Sequence, residues 1–480
     1  MIAQGLDKLT YQTGFGNHFS SEAIPGTLPV GQNSPQECAF GLYAEQLSGS
    51  AFTAPRKDNL RTWLYRRHPS VGHGPFEAVP RPDLRPPDDT NSEVTPDQLR
   101  WRPDEASGSG LDFVQGLRPM CGSGSPLQKS GYQIYTYAFT EAMEDFCFCN
   151  ADGDFLLVVQ QGPLLIVTEL GLLHVAPCEV CVLPRGMRFA VGSTDGALAR
   201  GYVLEVFEGH FTLPDLGLIG ANGLANPRDF EVPVAHPCSE RQQHQGHRLI
   251  QKLGGRLFAA QQQWSPFDVV AWHGNYVPYK YDLRKFCPMN TVRVDHADPS
   301  IFTVLTCPSA VPGTAVADLV VFPPRWSVAE NTFRPPYFHR NVMNEYMGLI
   351  CGAYEAKATF KPGGSSLHVC MSPHGPDLTS YNAATAIDTR APQRLPSSTM
   401  AFMFEVNHTP RVMRSALQSP HLDQEYRQCW QGFPVAKAFG GKATSDAKAI
   451  DQPAENGTGA LPGGQAQKEE VKAETISSTG

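Results

Sequence analysis

The chain has 480 residues, 41% of them apolar and 18% charged, a size and composition ordinary for a globular protein and sufficient for two sizeable cores. Its 44 glycines and 41 prolines favour many short strands and turns over long helices. A net charge of −8 without a long basic run argues against nucleic acid as a partner, and without an uncharged apolar run of about 18 residues no membrane span is expected.

The first eighty residues are rich in turns and aromatics, as in Tyr11-Gln12-Thr13-Gly14-Phe15-Gly16-Asn17-His18, and show no helical periodicity. Gly14-Phe15-Gly16 is too short for a nucleotide fingerprint and reads as a turn. Residues 84–110, with Pro86-Pro87-Asp88-Asp89 and Ser107-Gly108-Ser109-Gly110, read as a surface loop. Between Gly131 and Phe207 the pattern turns to strands, at Tyr132–Tyr137, Asp154–Val159, Leu164–Thr168 and Glu179–Leu183, with Gly and Pro turns between them. The pairs Cys147/Cys149 and Cys178/Cys181 fall on such strands, so they are expected to be small apolar residues of a core and not metal ligands. Gln242-Gln243-His244-Gln245-Gly246-His247 has no nearby carboxylate or third histidine and is expected to be a solvated loop. The aromatic stretch from Val270 to Lys280 is expected where a first domain hands over to a second.

Twelve cysteines are scattered without a disulfide framework, and the N-terminus has no basic-then-apolar signal pattern. The expectation is a reduced, cytoplasmic protein. After Phe439 the chain holds no Phe, Tyr or Trp, and residues 439–480 are expected to be a disordered tail.

The most informative stretch is Arg334-Pro335-Pro336-Tyr337-Phe338-His339-Arg340-Asn341-Val342-Met343-Asn344-Glu345-Tyr346-Met347-Gly348, followed by Ser372-Pro373-His374-Gly375. Two neutral imidazoles and one carboxylate leave positions open on an octahedral ion, as in non-haem Fe(II) enzymes. On a straight strand His339 and Glu345 would lie roughly 20 Å apart, so the chain between them must turn. Asn341 and Asn344 are residue types that tolerate the left-handed backbone of a tight hairpin. The spacing resembles the first motif of cupin barrels, His-x-His, Glu, Gly, with His339, Asn341, Glu345 and Gly352 in those places. Asn341 replaces the second histidine, which removes one ligand. Pro362-Gly363-Gly364-Ser365-Ser366-Leu367-His368 resembles the second cupin motif, with the histidine one residue late. Spacing alone therefore favours His368 as third ligand.

A longer resemblance favours His374. The phrases Tyr43 to Phe52, Arg61-Thr62-Trp63-Leu64-Tyr65-Arg66, Asp295-His296-Ala297-Asp298-Pro299-Ser300, and Arg334 to Gly348 closely resemble the homogentisate 1,2-dioxygenase family, over about residues 11–438. The resemblance implies a mainly β fold, a cupin or jelly-roll-like bicupin, with a large N-terminal β domain at 1–285 and a C-terminal iron-binding domain at 286–438. It implies Fe(II) held by His339, Glu345 and His374, His296 as acid/base, and Tyr354 and His374 against substrate. His368 is then a residue supporting the ligands. Homogentisate and O₂ are the implied substrates, 4-maleylacetoacetate the product, tyrosine and phenylalanine breakdown the context, and a homohexamer built from trimers the assembly. The alternative is another cupin-type ring-cleaving dioxygenase, such as one acting on gentisate, because fold and ligands do not fix the substrate.

Overall fold

The computed structural model describes residues 9–436, other than 106, 218, 219, 221, 222, 245, 290, 291 and 297. The expected tail at 439–480 lies outside the described residues. The fold is mainly β, as expected, and most of its strands fall into sheets of ten, seven, six and four strands.

The strand Asp154–Gln161, with sequence DFLLVVQQ, shows why the layers form. Seven of its eight residues are buried, although it sits in an antiparallel sheet. Successive side chains on a strand point to opposite faces. Leu156 and Val158 accordingly enter one core while Phe155, Leu157 and Val159 enter another. Its neighbours Ala199–Val206 and Ser130–Phe139 divide the same way: Leu204 and Ile134 join the first core, Val203 and Tyr135 the second. The first core is completed by the six-stranded sheet, through Leu319, Tyr346, Phe402 and Phe404. The second is completed by the seven-stranded sheet, through Ile166, Phe189, Val191 and Leu249. The ten-stranded sheet is thus the middle of three layers, covered on both faces, which is why its strands read as continuous apolar runs.

All strand segments expected between Gly131 and Phe207 are present. Other expectations are corrected. Residues 84–110 are not merely a surface loop: Leu99–Trp101 pairs with Ser365–His368 and closes the six-stranded sheet, while Ser92–Glu93 pairs with Arg411–Met413 at the edge of the ten-stranded one. Trp101 is 3% exposed, and its indole N–H donates to the Ala416 carbonyl at 2.9 Å. Gln242–His247 is not a solvated loop either. Ser239 and Gln242 form a capping box on the short helix Glu240–Gln243, Gln243 is buried against His68, and His247 is buried at the start of the strand His247–Leu253. Cys147 and Cys181 are buried as expected, but Cys178 is half-exposed in a turn with φ of 69°.

The double coverage of the middle sheet sets a stability test. Leu156→Ala removes a fully buried side chain and is expected to cost about 2–5 kcal/mol, read as a lower denaturant midpoint. Leu127→Ala, 80% exposed, should leave the midpoint within about 0.5 kcal/mol of wild type. Equal effects from both would contradict the layering.

Candidate metal centre

The six-stranded sheet runs in the order Thr303–Pro308, Ala315–Phe322, Met400–Val406, Asn344–Cys351, Ser365–His368, Leu99–Trp101. In Asn344–Cys351, Tyr346 and Ile350 face the core; Glu345 and Met347 face the other side. The registers carry that polar position across five of the six strands: Thr306 opposes Asp318, Asp318 opposes Glu405, Glu405 opposes Glu345, and Glu345 opposes His368. Five neighbouring strands therefore present one row of polar side chains on one face. That face forms the wall of a cavity of about 810 Å³.

The histidines come from outside the sheet. His339 and His374 are joined by a two-way backbone bridge, N–H to carbonyl at 2.9 and 3.1 Å, and their rings lie 4.2 Å apart. His374 Nε2 is 2.8 Å from one oxygen of Glu345, and His339 Nε2 is 3.4 Å from the other. Among the described residues, these three form the one group of at least three His, Cys, Asp or Glu with donor atoms all within 4.8 Å of one another. The chain turns between His339 and Glu345 as the separation demands, but not by the expected means. Neither Asn341 nor Asn344 has a positive φ. Asn344 instead holds the turn with its side chain, donating to the carbonyls of Val406 and His408 and accepting from the Cys370 N–H.

The donor set fits a cation. His339 Nδ1 faces the Tyr337 carbonyl at 2.8 Å and His374 Nδ1 faces the Ser372 carbonyl at 2.9 Å. With Nδ1–H donating to each carbonyl, both Nε2 lone pairs point at the carboxylate, an arrangement stable only with a proton or a metal ion between them. Burial pushes the Glu345 carboxyl up, but hydrogen bonds from His339 and His374 outweigh it and hold the carboxyl well below the usual range. The hydrogen bond to Glu345 raises His339 above its ordinary 6.5, against the effect of burial.

His368 lies beside this group. Its ring stacks on His374 at 4.1 Å and 10°, and its Nε2 is 2.9 Å from the Tyr426 hydroxyl. Burial and the neighbouring His374 charge push it well below the ordinary histidine value, so it is a neutral ring. His296 is half-buried in a loop, its Nε2 3.1 Å from the Pro335 carbonyl. Tyr337 packs against both His296, at 4.9 Å, and His339, at 5.7 Å. Tyr354 lines the same cavity with its ring near Phe322 and Phe360, and burial raises its hydroxyl. Glu355, next to Tyr354 in the chain, is engaged by Arg325.

The sequence reading missed Glu405 and Lys357 altogether, and the side-chain role of Asn341. Asn341, in the place of the second cupin histidine, donates its amide to Glu345 at 3.2 Å and to Glu405 at 2.6 Å. Glu405 is pushed up to about 7 by burial and by the Glu345 charge, despite the Asn341 hydrogen bond. Lys357 is a buried cation on the cavity wall, its ammonium donating to the Gly375 carbonyl at 2.6 Å and lying 3.9 Å from the Trp430 ring centre. Burial pushes it down to about 8. A signal existed for Asp318 and Glu405, since each is a single acid inside an otherwise apolar strand, AVADLVVF and MAFMFEV.

A mainly β chain with two histidines and one carboxylate converging in a deep cavity has the donor set of a mononuclear non-haem metal protein. The family models for the homogentisate 1,2-dioxygenase N-terminal and C-terminal regions match residues 10–283 and 284–437. Homogentisate 1,2-dioxygenase of Arabidopsis thaliana is 58% identical over 433 residues, 89% of this chain and 93% of that protein. The Homo sapiens protein of the same name is 54% identical over 435 residues, 89% and 96% of the two chains. The chain belongs to the homogentisate 1,2-dioxygenase family. Among solved structures, the Ylba protein of E. coli aligns with 66% of this chain and 94% of its own at 9% identity and a TM-score of 0.31, too low to carry any argument.

Two measurements test the centre. His374→Ala is expected to lose bound metal on desalting, whereas His368→Ala retains it; the opposite pattern in metal analysis would exchange their roles. Protons compete with metal for the Nε2 atoms, and His339 holds its proton to a pH above 6.5. Metal affinity should therefore fall on acidification, beginning above pH 6.5. An affinity that is flat from neutrality down to pH 5 would contradict this geometry.

Proposed function

We propose that this protein opens the aromatic ring of homogentisate with O₂ at a single Fe(II) held by His339, Glu345 and His374, giving 4-maleylacetoacetate. The observation that carries the proposal is the convergence of these three side chains on one cavity in a chain of this family. Bound Fe(II) would supply open coordination positions at which an electron-rich diol and dioxygen can share one ion.

The chain's own groups supply the rest. His296, on the wall of the cavity, accepts a phenolic proton on a ring nitrogen. Tyr354 and His374 contact the substrate. His368 braces His374 by stacking and stays neutral, adding no charge to the site. Asn341 donates to Glu345 and fixes the plane of its carboxylate. Lys357 offers a buried positive charge for the acetate group, because a carboxylate taken from water needs a paired cation.

The same reading divides the chain into an N-terminal β domain at 1–285 and a catalytic domain at 286–438, and takes the protein to be a cytoplasmic homohexamer in tyrosine and phenylalanine breakdown. Among the described residues no helix is long and apolar enough to cross a membrane.

Oxygen uptake equal to ring-opened product, on adding homogentisate to protein loaded anaerobically with Fe(II), is the expected result. No uptake despite stoichiometric iron would discard the substrate. Lys357→Met is expected to raise KM for homogentisate at least tenfold, about 1.4 kcal/mol of lost binding, with a smaller change in kcat. An unchanged KM would remove Lys357 from acetate recognition.

A further inference from the structure

Far along the same strand from Glu345, a pair of cysteines meets across the two halves of the chain. Cys351 ends the strand Asn344–Cys351, and Cys178 stands in the turn before the strand Glu179–Leu183. Their sulfurs are 3.8 Å apart, in the one sulfur–sulfur hydrogen bond among the described residues. Both backbones are anchored: the Cys178 N–H donates to the Val159 carbonyl at 3.2 Å, its carbonyl accepts from the Leu283 N–H at 3.0 Å, and Gly352 turns the chain sharply after Cys351. Cys178 holds a left-handed φ of 69°, unusual for a residue with a side chain. Both thiols are half-buried, so a small oxidant reaches them.

We propose that Cys178 and Cys351 are a built-in oxidation site, at which hydrogen peroxide closes an intramolecular disulfide joining the residue-178 turn to the strand that carries Glu345. The Cys351 thiolate attacks one peroxide oxygen and the O–O bond breaks, leaving Cys351 as sulfenic acid and releasing hydroxide, which is protonated to water. The Cys178 sulfur then attacks the Cys351 sulfur, the S–O bond breaks, and the departing hydroxide leaves as water with the Cys178 proton. Two thiols and one peroxide become one disulfide and two waters. A disulfide needs sulfurs about 2.05 Å apart, so the two sulfurs have to close from their present 3.8 Å contact.

Selectivity among twelve cysteines follows from the surroundings. The hydrogen bond from Cys178 holds the Cys351 thiol down at about 7, and the Arg284 guanidinium acts in the same direction. Burial pushes the thiols of Cys121, Cys147, Cys181 and Cys307 up, which makes them poor nucleophiles. Cys178 is pushed up as well, by its hydrogen bond to Cys351 and by burial, so Cys351 meets the oxidant first and Cys178 reacts only once that hydrogen bond has been lost.

The test is stoichiometric peroxide treatment of the full-length folded protein, alkylation of remaining thiols, digestion without reductant and mass spectrometry. The expected result is a Cys178–Cys351 linked peptide as the main product, two hydrogens lighter than its separate halves and absent when the protein is first unfolded in guanidinium. Cys178→Ser should leave Cys351 as a sulfenic acid that dimedone captures. Alkylation of both Cys178 and Cys351 after peroxide treatment, with oxidation at other cysteines, would overturn the proposal. So would equal linkage yields in folded and unfolded protein.

Discussion

The backbone bridge between His339 and His374 is the contact on which the site depends. It joins two loop residues 35 positions apart with paired hydrogen bonds, so neither imidazole can drift independently. Both rings are then fixed a second time by carbonyls two residues upstream, Tyr337 and Ser372, which select the tautomer and aim Nε2 inward. Everything else in the centre meets this rigid pair from the sheet side, where Glu345 is carried on a strand paired on both edges. Sites built on ladders rather than loops hold geometry more tightly, and here the loop contribution has been given a small ladder of its own.

The sheet contributes a polar row that is costly by itself. Asp318, Glu405 and Glu345 occupy successive strands at one level, so three carboxyls share a partly desolvated wall. Burial raises the carboxyls of Asp318 and Glu405, the latter to about 7, while the two histidines keep Glu345 ionised. The row therefore separates into acids that are easily protonated and one carboxylate ready to bind a cation. Asn341 sits at the junction and donates to both kinds. Substituting asparagine for a cupin-type histidine thus converts a fourth ligand position into a hydrogen-bond donor that orders the carboxylates.

What could be read from the sequence was what is local. Apolar runs bounded by Gly and Pro turns exposed the strands around Asp154 and Leu164, and the resemblance to a known family, not spacing, put His374 beside His339 and Glu345. The exchange of Leu99–Trp101 and Arg411–Met413 between sheets was not legible, because their partners lie hundreds of residues away and strands of three residues carry no period. The same limit hid the row from Thr306 to His368, whose members are scattered over four connections. The asparagine turn failed for a different reason: residue type suggested a left-handed backbone, whereas Asn341 and Asn344 act through their side-chain amides. Lys357 offered no pattern at all, and its role follows only from burial beside Trp430 and the cavity.

The most direct measurement is pulsed electron paramagnetic resonance on the nitric oxide adduct of the anaerobic Fe(II) protein, counting histidine nitrogens coupled to the ion. Two equivalent couplings in the native protein, and one after His374→Ala at forced iron excess, are the expected result. Three couplings, or two that survive loss of His374, would place a different set of side chains on the metal and contradict the centre described above.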